Sequence, residues 1–258
     1  MKLSQMQDIG GCRAVVGSVQ HVTRLADNFG GSRTQNQLHH IDDYITTPQP
    51  TGYRGIHLNF RFRSATTLNK CSGLRIEVQL RSPLQHAWAT AVETVGTFTR
   101  QALKSSQGER QWLRFFELMG SVVAFKEDTP LVINTPTTKE ELVSQVAEFE
   151  SQLQVRHSLE AFRRALREFD KPSPNAAYYL LELDANAGSV TVTGFRAREL
   201  FRATHIYAET EKRIAQSGGD AVLVSVDSLA SLRRAYPNYF LDTRVMLDLL
   251  DETLERGI

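Results

Sequence analysis

Two stretches of the chain alternate strictly between apolar and polar side chains. In 55–63, Ile56, Leu58, Phe60 and Phe62 interleave with His57, Asn59, Arg61 and Arg63. In 74–81, Leu74, Ile76, Val78 and Leu80 interleave with Arg75, Glu77, Gln79 and Arg81. A period of two gives a strand one apolar and one polar face, so both stretches predict half-buried strands. Ser72-Gly73 lies in the short linker between them, which fits an antiparallel hairpin. Ser82-Pro83 supplies an N-cap and a first-turn proline for a helix over 83–98.

Patterning elsewhere is coarser. Residues 12–18 are short and rich in small and β-branched side chains, predicting a buried strand. A helix over 19–29 follows, closed by Gly30-Gly31. Residues 40–45 predict a second short strand, and Pro48, Pro50 and Gly52 mark a loop. The middle of the chain reads as helical, at 111–125 and again at 139–169. In the second stretch Leu142, Val146, Phe149 and Leu153 form one stripe, and Leu159, Phe162, Leu166 and Phe169 form another. The phase slips near Arg156-His157, which predicts two stacked segments or one bent helix.

Pro172 and Pro174 end that pattern. Beyond them the spacing predicts strands at 177–183, 189–193 and 221–226, with helices at 197–215 and 243–254. Asn186-Ala187-Gly188 is a candidate turn. The whole predicts an α/β (α+β) fold in three parts: a core over 1–105, a helical region over 106–171 and a small α/β unit over 172–258.

Composition narrows the partners. A net charge of +1 gives no bulk field that would recruit nucleic acid or anionic membrane. No apolar run approaches a membrane span, so no membrane partner and a cytoplasmic location are expected. Cys12 and Cys71 are far apart with no paired spacing, which predicts two buried, reduced thiols and not a zinc site or a disulfide.

The shared polar face carries the candidate chemistry. Its four arginines suit phosphate, because a guanidinium offers a planar fork of donors. Glu77 among them can hold a metal ion or accept a proton. Asp8 adds a second carboxylate, before Gly10-Gly11, where the backbone can approach a ligand closely. Tyr53, in the loop 50–55, offers a stacking platform for a base. A merely wetted sheet face, a plain turn and an exposed loop tyrosine are the plainer readings of these same residues.

Three ordered segments resemble the RelA/SpoT synthetase domain. They are Met6-Gln7-Asp8-Ile9-Gly10-Gly11-Cys12-Arg13, then Asp43-Tyr44-Ile45 with Pro48 through His57, then Ile76-Glu77-Val78-Gln79-Leu80-Arg81 with Gln85-His86-Ala87-Trp88-Ala89. The resemblance covers roughly the first hundred residues. It implies a nucleotidyltransferase-like mixed sheet flanked by helices, and an ATP-dependent transfer of pyrophosphate to a ribose 3′-hydroxyl. It further implies that Asp8 and Glu77 are catalytic and bind Mg²⁺, and that Tyr53 stacks on the acceptor base. His57, Gln79, Arg81 and Arg54 would line the substrate site, and His86 and Trp88 would pack behind it.

Two departures qualify that picture. The ATP-gripping basic segment of the family lies upstream of the Asp8 motif, and this chain starts at Met1, just before it. A truncated piece of a longer protein is therefore expected, or a degenerate domain with poor ATP affinity. Alarmone synthetases typically carry Lys and Ser where this chain has Gln49 and Gly55, which puts free GDP or GTP in question as the acceptor.

The segment from Asp220 to Phe240 resembles the tail of the CapRel-like group, fused toxin–antitoxin synthetases of phage defence. That resemblance implies that Tyr236 and Tyr239 cover the ATP site, that a phage protein releases them, and that the acceptor is the 3′ end of tRNA. Arg156, Arg163, Arg164, Arg167 and Lys171 are one candidate track for RNA or an ordinary solvated face. The alternatives to a synthetase are a catalytically inactive nucleotide- or partner-binding protein and a pure interaction module.

Overall fold

The computed structural model describes residues 10–31, 36–63, 72–99, 106–160, 176–184, 189–214, 220–225 and 243–258. Asp8, Cys71, Tyr236, Tyr239, the Asn186 turn and the cations from Arg163 to Lys171 lie outside them, as do the expected part boundaries at 105 and 171.

The chain forms two compact units, each discontinuous in sequence. The first is Met1–Trp88 with Phe116–Leu142 and Ile258, and the second is Ala89–Phe115 with Val143–Gly257.

The first unit is built on a mixed sheet of four strands. β1 (Gly10–Val15), β2 (Gln37–Asp43), β3 (Ile56–Arg61) and β4 (Arg75–Arg81) lie in the order β1-β4-β3-β2. β3 and β4 form the antiparallel pair expected from their alternation, with His57 opposite Gln79 and Asn59 opposite Glu77. β1 runs parallel to β4, with Gly11 beside Glu77 and Arg13 beside Gln79. The alternation becomes a core: Ile56, Leu58, Phe60, Val78 and Leu80 are buried with Ile45 and with Val22 and Ala26 of α1 (Val19–Gly31). Leu58 is fully enclosed, and Leu58→Ala would cost about 2–5 kcal/mol.

Capping sets the helix starts. Ser18 Oγ accepts from the His21 amide at 3.3 Å, fixing the first turn of α1. α2 (Pro83–Thr99) opens on a capping box, in which the Gln85 amide donates to Ser82 Oγ and the Ser82 amide donates to Gln85 Oε1, both at 3.2 Å. α3 (Ser106–Glu127) and α4 (Lys139–Leu153) follow, α4 with Glu140 and Glu141 in its first turn, where carboxylates complement the helix dipole. The expected phase slip is a break at Gln154, whose φ of 47° is left-handed, and residues 155–160 are helical again.

Three expectations are corrected. β1 begins two residues earlier than its apolar run, because Gly10 and Gly11 already pair with Ile76 and Glu77. β2 spans Gln37–Asp43 and not 40–45, with a register shift at Leu38/His40 that disguises its period. Cys12 is exposed, on a strand that edges the described sheet.

In the second unit, β5 (Tyr178–Asp184), β6 (Ser189–Phe195) and β7 (Asp220–Ser225) form an antiparallel sheet in the order β6-β5-β7. A short 3₁₀ turn, Ala197–Glu199, leads into α5 (Leu200–Ile214), so the single helix expected at 197–215 opens on a tighter turn. Leu180, Phe195, Ala203 and Ala221 make its core. α6 (Thr243–Arg256) buries Met246, Leu249, Leu250 and Thr253.

Candidate functional site

The register of the first sheet gathers the predicted polar residues on one face. Arg13, Gln79, His57 and Asp42 form one row across the strands, and Gly11, Glu77, Asn59 and His40 form the next. A Cβ at Gly11 would stand 3.1 Å from the Glu77 backbone carbonyl oxygen, so glycine lets β1 lie close beside that residue.

Three of these side chains, His57, Glu77 and Gln79, close into a hydrogen-bonded ring with Arg81 of β4 and Tyr53 of the loop before β3. Arg81 donates to the Tyr53 hydroxyl from Nε at 3.2 Å and from Nη2 at 2.9 Å. The Tyr53 hydroxyl is bonded in turn to His57 Nε2. His57 Nδ1 meets Glu77 Oε1 at 2.8 Å. Gln79 Nε2 donates to Glu77 Oε2 at 2.6 Å, and Gln79 Oε1 accepts from Arg81 Nη2 at 3.0 Å. Arg13 Nε adds a longer bond to Gln79 Oε1, at 3.3 Å.

The ring sets the charges. The hydrogen bond from His57 holds the Glu77 carboxyl below the usual carboxylate range, against a partial burial that raises it. Burial pushes the Tyr53 phenol up, against the pull of Arg81. Arg81 is 3% exposed, and its Nη1 is buried with no hydrogen-bond partner among the described residues. A buried guanidinium nitrogen with two unused donors is suited to an anionic oxygen.

Tyr53 is not the exposed loop side chain of the plainer reading. It is half-buried, with the Arg81 guanidinium 5.0 Å from its ring centroid and the rings of Tyr44, His57 and Trp88 packed edge-on. The loop that carries it is clamped to α3. Gly52 has φ of 93°, and a Cβ built on Gly120 would stand 2.7 Å from Gly52 Cα, so glycine is required at both sides of the crossing. Trp88 Nε1 donates to the Phe116 carbonyl at 2.8 Å, the packing role expected of it. His86 is buried as well.

Arg54 is a correction. It was expected to line the substrate site, but it is 1% exposed and turned under the loop. Its donors go to the carbonyls of Gly120 (3.2 Å), Ile45 (3.4 Å) and Pro130 and to Thr129 Oγ1 (3.1 Å). Burial draws its pKa down to about 10, opposed by the nearby Glu127. Glu127 accepts from Ser82 Oγ and, at 2.8 Å, from Gln85 Nε2, and burial raises its carboxyl above the usual range.

Sequence reasoning missed a second acid on the face. Asp42 accepts from Asn59 Nδ2 at 3.0 Å and lies 2.9 Å from His40 Nε2. These residues, with His39 and Tyr44, line a recess of about 340 Å³. The β2 register shift hides Asp42 from the alternation, and only its place beside the Asp43-Tyr44 segment pointed to it.

Glu77 is the carboxylate of the ring available for magnesium. Each of its oxygens takes one hydrogen bond and keeps a lone pair, which fits a hard cation that binds through one or two carboxylates. Among the described residues no cluster of three or more metal-ligating side chains forms. The regulatory tyrosines Tyr236 and Tyr239 lie outside the described residues, and of the expected basic track only Arg156 is described, bonded to Asp251 at 2.5 Å. No helix of the described residues is long and apolar enough to cross a membrane.

Residues 1–98 match the family model described as the region found in RelA / SpoT proteins. No curated protein matches the chain. Among solved structures it is similar to small alarmone synthetase 2 from Bacillus subtilis, at 18% identity over 48% of this chain and 64% of that one, with a TM-score of 0.42. It is also similar to a GTP pyrophosphokinase family protein from Streptococcus pneumoniae, at 21% identity over 48% and 61%, TM-score 0.40. Small alarmone synthetase 1 from Bacillus subtilis bound to its product pppGpp is similar at 19% identity over 49% and 63%, TM-score 0.41. The chain spans less than two thirds of the length of these structures.

Proposed function

We propose that this chain is an ATP-dependent pyrophosphokinase of the RelA/SpoT kind, with a guanine nucleotide as acceptor. The observation that carries the reading is the polar ring within the matched residues 1–98, which pairs an ionised Glu77 with a buried Arg81 donor that has no partner among the described residues. In the proposed step, the acceptor 3′-oxygen attacks the β-phosphorus of ATP. The O3′–Pβ bond forms, the bond from Pβ to the oxygen bridging to the α-phosphorus breaks, and AMP leaves with that oxygen. Glu77 receives the hydroxyl proton, Arg81 and Arg13 take phosphate oxygens, and the Tyr53 ring packs against the acceptor base. Most of the acceleration would come from positioning and fixed charge. A magnesium ion held by Glu77 and Asp8 would shield the polyphosphate charge. The reading keeps the plan of a synthetase core over 1–105, a helical region over 106–171 and a regulatory unit over 172–258.

The test is product analysis with β-labelled ATP and Mg²⁺ against GDP, GTP and bulk tRNA, using the full chain encoded by the gene. Label in guanine nucleotide is the expected result. Label in tRNA instead would move the acceptor to RNA, and label in none of the three would leave a nucleotide-binding protein without transferase activity.

A further inference from the structure

The ring has a direction that follows from counting protons. The Tyr53 oxygen accepts two N–H bonds from Arg81, at 3.2 and 2.9 Å, which uses both of its lone pairs. Its own proton is then the one shared with His57 Nε2. With Nε2 accepting, a neutral His57 carries its proton on Nδ1 and donates it to Glu77 Oε1 at 2.8 Å. The second arm runs the same way, from Arg81 Nη2 through the Gln79 amide to Glu77 Oε2. Every donor therefore points from the guanidinium toward the carboxylate, along one arm through Tyr53 and His57 and another through Gln79.

We infer that the Tyr53 hydroxyl is a positioning group for Glu77, acting through the tautomer and orientation of His57. The inference rests on the proposed transfer reaction and adds to it a second task for one side chain. The ring of Tyr53 belongs to the acceptor site, whereas its hydroxyl belongs to the carboxylate that takes the acceptor proton. Residues on β3, on β4 and in the loop before β3 are locked together by this chain of bonds, so placement of the base platform and aim of the base are one geometric event. His57 and Gln79 are positioning residues in the same sense, because each fixes one oxygen of Glu77 and so directs the remaining lone pairs.

Tyr53→Phe separates the two tasks, since it keeps the ring and removes the oxygen. The expected result is a kcat lower by about tenfold with the acceptor KM within about twofold, the size of one lost positioning hydrogen bond. Nitrogen NMR of the His57 imidazole provides a readout independent of turnover. The wild type should show the Nδ1–H tautomer, and Tyr53→Phe should gain the Nε2–H form, because no other described residue donates to Nε2. An unchanged tautomer together with an unchanged kcat would overturn the inference. So would a raised KM at constant kcat, which would place the hydroxyl in acceptor binding alone. If the wild type transfers pyrophosphate to no acceptor, the proposed function fails, and the tautomer comparison still decides whether the hydroxyl governs His57.

Discussion

Arg54 and Arg81 are both almost wholly buried in the first unit, and they do opposite things. Under the loop, Arg54 meets three backbone carbonyls and a threonine hydroxyl, with Glu127 near enough to steady its charge. On the sheet face, Arg81 meets a phenol and an amide and keeps Nη1 unused among the described residues. The first arginine closes a structural account, whereas the second leaves one open toward the face that holds Glu77. Burial alone does not separate a structural cation from a ligand-binding one. The unused donor does.

Substitutions should break the pair in different ways. The largest effect is expected at Arg54. Arg54→Met orphans the carbonyls of Ile45, Gly120 and Pro130 and strands Glu127, a loss of about 3–5 kcal/mol in denaturant unfolding. Next is the crossing that seats the loop: Gly120→Ala should cost about 2–3 kcal/mol by the same measurement, because its Cβ would press on backbone at 2.7 Å. Arg81→Met should cost only about 1–2 kcal/mol of stability. Its signature is instead a loss of nucleotide affinity by ten- to hundredfold in calorimetry, roughly the value of a charge-assisted bond to phosphate.

The smallest effect is expected at Glu127→Gln, within about 1 kcal/mol at neutral pH, because the amide keeps the shape and one acceptor. The pH dependence has a definite sign. A carboxyl whose folded pKa is raised binds its proton more tightly in the native state, so its contribution is full below the unfolded value and is lost as pH rises through the folded one. Replacing Glu127 should flatten that decline in stability from acid toward neutral pH, as followed by melting temperature.

The hairpin of β3 and β4 was legible because its period is local, and so was the helix start at Ser82, which depends on side chains within one turn. The neighbours of that hairpin were not. β1 joins β4 in parallel from far along the chain, and the register shift in β2 breaks the period that would have exposed Asp42. Tyr53 and Arg54 show the limit most plainly. They are adjacent in one loop, both carried by the family resemblance, and nothing local says which turns inward. The clamp between Gly52 and Gly120 decides it, a contact between residues nearly seventy positions apart in sequence. The members of the ring were named by the resemblance, but their bonding to one another was not legible, because only the register sets His57, Glu77 and Gln79 side by side.

Glu77→Gln tests the central claim most directly, in the labelled-ATP reaction with the acceptor that the wild type uses. The account predicts that transfer falls by at least about a hundredfold, the lower range for loss of a general base, while the melting temperature stays within a few degrees. Transfer that persists in this variant at the wild-type rate, with the fold intact, would contradict it and remove Glu77 from the reaction.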